Sequence, residues 1–223
     1  MNKSYFVVGT DTGVGKTLVT SALLYGYSQQ GLTTTGMKPV AAGCVEENGR
    51  LVSEDVAMIM TASNVRTQFE LHNPYAFEPA IAPHIAAQKV GEVIKPRVIQ
   101  LAHQELSSLA EVLIVEGVGG FRVPLGDQWD TADLAQILNI PMVLVVGMRL
   151  GCINHTLLTV EAIQSRGLEL AGWVANRIDP AMAEFDKNLQ ALEQHIPAPC
   201  LGVVPHLPQA DFKLAAAYLQ LPI

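Results

Sequence analysis

Basic residues are scarce in this 223-residue chain: 14 Lys+Arg stand against 21 Asp+Glu, a formal net charge of −7. That balance excludes a surface built to wrap nucleic acid or an anionic membrane, which needs a basic face. It leaves open a small phosphorylated ligand, which needs only local positive charge. Cysteine is equally sparse. Cys44, Cys152 and Cys200 are odd in number and far apart, which excludes a disulfide framework and a zinc knuckle and leaves three reduced, partly buried thiols. No long apolar run is present; the longest, around Ile140–Val146, falls far short of the roughly 20 residues of a membrane span. Met1–Tyr5 has no signal-peptide shape, and there is neither an internal repeat nor a low-complexity linker. These absences predict a soluble cytoplasmic protein with no membrane or nucleic-acid partner. What the chain does have is apolar substance. At 49% hydrophobic and 16% charged residues it can fill a large core, and its length suits a single domain over residues 1–223.

Strand and helix patterns alternate throughout. Tyr5–Val8 is a short β-rich run, followed by a Gly-containing loop and a helix from about Lys16 to Gln30, stopped by Gly31. A second strand is expected near Gly36–Val40, a short helix after Ser53, and a proline-punctuated region from Asn73 to Pro83. Pro96 opens an amphipathic helix whose apolar positions are Val98, Ile99, Ala102, Leu106 and Leu109. Val112–Val115 and Met142–Val146 are continuous apolar strands, as a parallel sheet covered on both faces requires. A helix over Ile153–Arg166, a strand over Leu170–Ala175, a helix near Met182–His195, a strand at Leu201–Val204 and a helix after Pro208 complete the pattern. The expectation is an α/β protein, a mostly parallel sheet of about seven strands with helices on both faces. Ligands of such sheets collect at the carboxyl ends of the strands.

The first of those loops is Gly9-Thr10-Asp11-Thr12-Gly13-Val14-Gly15-Lys16-Thr17. It follows a strand and opens a helix, the context of a P-loop. Its glycines let backbone N–H groups turn toward an anion, and the helix N-terminus adds positive potential. Lys16 would reach the β/γ-phosphates and Thr17 would ligate Mg²⁺. The spacing departs from the generic pattern: the glycine expected five residues before Gly15 is Thr10, and the nearest candidate is Gly9. The loop is one residue longer.

A phosphate loop needs an acid for its metal. Leu113-Ile114-Val115-Glu116-Gly117 is an apolar run that delivers one carboxylate at its end, and Asp55, after Ser53-Glu54, is a second candidate. Thr17, Asp55 and Glu116 make a reasonable Mg²⁺ set, because that ion takes few carboxylates along with phosphate oxygens and water. Acids near helix N-termini also occur for stability alone, which is the plainer reading of Asp55.

These segments and several others resemble the ATP-dependent dethiobiotin synthetases. They are the phosphate loop, Gly36-Met37-Lys38-Pro39-Val40, Asn73-Pro74-Tyr75, Pro83-His84, Val115-Glu116-Gly117, Gly151-Cys152-Ile153-Asn154-His155 and Gly172-Trp173-Val174-Ala175-Asn176. They occur in order and span most of the chain, and the longer phosphate loop is a feature of that family. The resemblance implies a P-loop NTPase-like fold and a Mg²⁺- and ATP-dependent ring closure. CO₂ is joined to 7,8-diaminononanoate through a carbamate and a carbamic-phosphoric anhydride to give dethiobiotin, a step of biotin synthesis.

It also implies roles. Lys38, Lys16 and Thr12 would act at the reacting groups, with Lys38 holding the carbamate and the transferring phosphoryl oxygens. Gly13, Val14, Gly15, Lys16, Thr17 and Leu18 would wrap the triphosphate, near Asp55, Glu116, Gly117, Val118 and Gly119. Asn176 would meet the adenine edge with its amide, beside Arg177 and the loop Pro205-His206-Leu207. Gly151, Cys152, Ile153 and Asn154 open a helix whose free N–H groups would take the substrate carboxylate, offered by the other subunit of a homodimer. His155 reads as structural, and His84 lies near the site loops without a role. Ala42 stands where many relatives carry a substrate-contacting Ser, so that side-chain contact is missing here.

Two other classes fit a deviant P-loop. An amidotransferase-like ATP ligase would need an added glutaminase domain, for which 223 residues leave no room. A partitioning or switch ATPase would carry a second lysine early in the loop, where Thr10 and Asp11 stand, and often a basic or amphipathic tail, whereas this chain closes on Leu219–Ile223.

Overall fold

The computed structural model describes residues 2–222; Met1 and Ile223, and with them the last residue of that tail, lie outside the described residues. In chain order the elements are β1 (Lys3–Gly9), α1 (Lys16–Gln29), β2 (Thr34–Met37), β3 (Val40–Ala42), β4 (Val45–Glu47), β5 (Arg50–Val52) and α2 (Glu54–Ala62). Then come α3 (Phe69–His72), β6 (Tyr75–Phe77), α4 (Pro83–Lys89), α5 (Pro96–Leu109) and β7 (Val112–Glu116). The remainder is α6 (Thr131–Leu138), β8 (Met142–Gly147), α7 (Cys152–Ser165), β9 (Leu170–Asn176), α8 (Phe185–His195), β10 (Cys200–Val204) and α9 (Phe212–Ala216).

Six strands form the main sheet in the order β10-β9-β8-β1-β7-β2, every neighbouring pair parallel. Alternating side chains of each strand feed two cores. Tyr5, Val7, Ile114 and Val145 pack under α1, α2 and α9, whereas Phe6, Val8, Val115 and Leu144 pack under α5, α6, α7 and α8. This burial on both faces is why the strands are unbroken apolar runs. From β1 the chain crosses outward to β2, returns to insert β7, then moves to the other side at β8. The switch point thus lies at the carboxyl ends of β1, β7 and β8, where a ligand crevice is expected.

The structure differs from the sequence reading in three places. The main sheet has the six strands placed one by one, against a total of about seven, and the expected strand at Gly36–Val40 is divided. β2 ends at Met37, Pro39 has no N–H to continue a ladder, and the chain resumes as β3 in a separate parallel pair with β6. The buried stripe of α5 is Ile99, Ala102 and Leu106, while Val98 and Leu109 on its flanks are exposed. The helix expected from Met182 begins at Phe185. The last helix follows Pro208 as expected, starting at Phe212, where the Asp211 side chain accepts from the Lys213 and Leu214 N–H groups.

The free edge of β2 is covered from the 64–72 segment. Asn64 Oδ1 accepts from Thr34 N at 2.7 Å, and the buried His72 ring meets the Gly36 carbonyl through Nδ1 at 2.6 Å and Thr67 Oγ1 through Nε2 at 2.7 Å. Such capping removes an open template for strand pairing. It also fixes the strand that delivers Lys38.

Candidate active site

The loop from Gly9 to Thr17 curls over the end of β1 and opens α1. Gly15 caps the helix in the left-handed conformation, φ 90°, and a Cβ there would lie 2.1 Å from Asn176 Nδ2. Both the backbone sign and the space demand glycine. Asn176, the last residue of β9, donates Nδ2 to the Val14 carbonyl at 2.9 Å. At this position the amide braces the phosphate loop from below.

Lys16 is buried and turns back on its own loop, its Nζ donating to the Asp11 carbonyl at 3.0 Å. Burial lowers its pKa to about 8, against the opposing pull of Glu116, with Lys38 adding to the lowering. A phosphate anion would give this ammonium the counter-charge it lacks.

Lys38, Thr17, Asp55 and Glu116 converge where β2, β7, α1 and α2 meet. The Lys38 ammonium bonds Asp55 Oδ2 and lies 2.7 Å from Glu116 Oε1. Glu116 is fully buried at the end of β7. Burial alone would lower the Lys38 pKa, but Glu116 and Asp55 together outweigh it and hold the ammonium above the ordinary lysine range. Burial alone would likewise raise Asp55; Lys38 and the Thr17 hydroxyl outweigh it and hold the carboxyl below the usual range.

Beside Lys38, the oxygens here also suit a metal cation. Thr17 Oγ1 is 2.8 Å from Asp55 Oδ1 and 2.9 Å from Glu116 Oε1, yet a hydroxyl has one proton for two carboxylates. Glu116 Oε2 is buried with no hydrogen-bond partner. An all-oxygen set of one hydroxyl and two carboxylates fits Mg²⁺, with nucleotide oxygens and water completing its shell.

A cavity of about 440 Å³ opens above this cluster and brings together Thr12, Gly13, Gly15, Lys16, Thr17, Leu18, Lys38, Ala42, Asp55, Glu116, Val118 and Gly119. A second cavity of about 670 Å³ adjoins it, sharing Thr12, Ala42, Val118 and Gly119, with Ile81, Pro83 and Val123 on its apolar wall. Ala42 therefore sits at the junction.

Other expected residues lie off these cavities. Val14 is buried, and Gly117 N donates to the Val7 carbonyl at 2.9 Å inside the sheet. Arg177 donates to the Pro180 carbonyl at 3.1 Å and stacks on Phe185 at 4.8 Å. Pro205, His206 and Leu207 follow β10 outside the first cavity, whose rim on that side is Ala210. Gly151, Cys152, Ile153 and Asn154 open α7 without lining either cavity of this chain. Their tie to the site is indirect: Arg149 Nη2 lies 2.5 Å from Asp11 Oδ2 in the phosphate loop. Sequence reasoning missed Met58 at the first cavity and Ala80–Ala82 at the second, and it gives no role to Glu54, Asp11 or Pro83, which it names. The segment after β6 follows a parallel strand, the signal that located the other loops.

A parallel sheet with its switch point at a glycine-rich loop, a Gly-Lys-Thr at the helix start and a strand-end carboxylate define a P-loop NTPase. Residues 3–213 match the family described as AAA domain. The septum site-determining protein MinD from Pyrococcus horikoshii superposes at TM-score 0.58 with 16% identity, covering 100% of this chain and 87% of that one. A ParA family ATPase from Chlorobium tepidum gives 0.58 at 15% identity, over 97% and 89%. These two share the fold. An ATP-dependent dethiobiotin synthetase of Aromatoleum aromaticum is 54% identical over 99% of this chain and 98% of its own. A second, from Nitrosospira multiformis, is 53% identical over 99% and 96%. The chain belongs to the ATP-dependent dethiobiotin synthetase family.

Proposed function

We propose that this site closes the ureido ring of dethiobiotin in biotin biosynthesis, joining CO₂ to 7,8-diaminononanoate at the expense of MgATP. The observation that carries the reading is the convergence of Lys16, Lys38, Thr17, Asp55 and Glu116 where a phosphate cradle meets a second, largely apolar cavity. A diamine with a long methylene chain suits that junction. One amine adds to CO₂ and releases a proton, forming a carbamate. A carbamate oxygen attacks the γ-phosphorus and ADP leaves. The second amine attacks the carbonyl carbon, loses a proton and expels phosphate.

The protein's share is positioning and charge neutralisation. Lys16 and the loop amides from Gly13 to Leu18 hold the triphosphate. Lys38, with Thr12 beside it, faces the carbamate and the transferring phosphoryl oxygens, where its fixed positive charge offsets charge that builds up in the transition state. Thr17, Asp55 and Glu116 would hold Mg²⁺, with Gly117–Gly119 alongside. When bound, Mg²⁺ neutralises and orients the phosphate oxygens. Asn176, Arg177 and the loop Pro205-His206-Leu207 would flank the adenine. The N–H groups of Gly151–Asn154 would receive the substrate carboxylate across a homodimer interface. Among the described residues no helix is long and apolar enough to cross a membrane. The reading is of a single-domain cytoplasmic enzyme.

The test is isotopic. With ¹³C-bicarbonate, the diamine and MgATP, mass spectrometry should find dethiobiotin carrying one label in its urea carbon. Absence of a labelled ring product would overturn the assignment.

A further inference from the structure

Lys38 is the last residue before Pro39, at the place where the chain leaves one sheet for another. Neither strand can hold it: β2 has ended, and Pro39 offers no donor. Its main chain is held by a corner 35 residues away. Lys38 N donates to the His72 carbonyl at 2.8 Å, and Asn73 Nδ2 donates to the Lys38 carbonyl at 2.8 Å. The two peptide planes flanking the Lys38 Cα are thus fixed from one side, and with them the direction in which its side chain leaves.

Asn73 is built for this task. It is buried, it terminates α3 with its N–H on the Phe69 carbonyl, and Pro74 keeps its backbone out of the helix. The same Nδ2 donates to the Tyr75 carbonyl at 3.0 Å, while Tyr75 N donates to the Pro39 carbonyl at 3.1 Å. With two carbonyls facing one end of the amide, that end must be the NH₂ group. The Asn73 oxygen is left buried and without a partner. An orphaned buried acceptor is a cost that a residue kept for packing alone would avoid.

We infer that Asn73 is a positioning residue for the ring-closing reaction: its amide fixes the Lys38 peptide and so aims the Lys38 ammonium into the site. The inference rests on the catalytic reading of Lys38 given above. Misplacing a reacting group by about 1 Å costs on the order of 100-fold in rate, so a loss of about 10- to 100-fold in kcat is expected when the amide is removed. The phosphate loop does not touch this corner, and nucleotide binding should stay as it is.

Asn73→Ala and Asn73→Leu are measured beside Lys38→Ala. Leu keeps the volume and removes the donor, so it serves if the Ala variant does not fold. Both Asn73 variants should lose kcat while the ATP KM and the affinity for a fluorescent ADP analogue stay within about threefold of the parent. Wild-type kcat in either folded variant would overturn the inference, as would a loss of nucleotide affinity equal to the loss of kcat. A near-normal rate in Lys38→Ala would instead remove the catalytic reading on which it stands.

Discussion

The Thr17 hydroxyl and the Glu116 carboxylate stand 2.9 Å apart, Oγ1 to Oε1, although Asp55 Oδ1 at 2.8 Å competes for the one proton between them. Such an all-oxygen set fits a divalent cation. Glu116→Gln should therefore weaken Mn²⁺ binding to the nucleotide complex by at least about tenfold, read by electron paramagnetic resonance, and leave metal-free nucleotide binding intact. Unchanged Mn²⁺ affinity would remove Glu116 from the metal set.

Lys38 is the resting counter-ion of the same carboxylates, 2.7 Å from a fully buried Glu116. Lys38→Met leaves that carboxylate with the Thr17 hydroxyl but no direct counter-ion, and breaking a buried pair costs about 3–5 kcal/mol. The half-exposed Asp55 and the nearby Lys16 place this case at the low end. Thermal melts should show the loss, and Mg²⁺ should restore more stability to the variant than to the parent, because the ion takes up the charge the lysine supplied. An equal Mg²⁺ response in both proteins would contradict this.

Lys16 sets a pH dependence. In the free protein its pKa is lowered to about 8 by burial, and a bound phosphate would raise it toward the ordinary lysine value. A group held more tightly protonated in the complex takes up a proton on binding, increasingly as pH rises through the free-state value. Calorimetry in buffers of different ionisation enthalpy should find roughly 0.1 proton taken up at pH 7 and about 0.5 at pH 8. Proton release at pH 8 would contradict the assignment.

The closeness of Gly15 and Asn176 yields a paired test. Gly15→Ala forces a side chain into the left-handed region and against Asn176 Nδ2. It should abolish measurable nucleotide binding. Asn176→Ala frees the Val14 carbonyl and should weaken binding modestly, by about 1 kcal/mol. The double variant should recover only part of the Gly15→Ala loss, since the backbone strain remains. Full recovery would assign the whole effect to the clash.

The Ala42 side chain offers no hydrogen bond at the junction of the two cavities. Ala42→Ser should lower the diamine KM by a few-fold, in keeping with about 0.5–1.5 kcal/mol for one added bond. An unchanged or raised KM would sink the explanation.

The alternation of strands and helices was legible because each carries its own period, and the phosphate loop because its chemistry lies in nine consecutive residues. The break at Lys38-Pro39 was also in view, but the apolar run around it hid a proline that cannot sustain a central strand. The buried stripe of α5 is narrower than its apolar positions imply, since Val98 and Leu109 fall on its flanks. What sequence could not supply was contact at long range. Asn73 meets Lys38 across 35 positions, and Arg149 meets Asp11 across 138. Nothing local distinguishes that asparagine from one in an ordinary turn. The brace from the Asn176 amide to the Val14 carbonyl, 162 residues away, is of the same kind.

Coupling between the two cavities is the centre of the account, and phosphate release measures it directly. Purified protein with MgATP should release phosphate only when bicarbonate and 7,8-diaminononanoate are both present, one phosphate for each dethiobiotin formed. Comparable release without the diamine would contradict the account and mark the site as that of a switch-type ATPase.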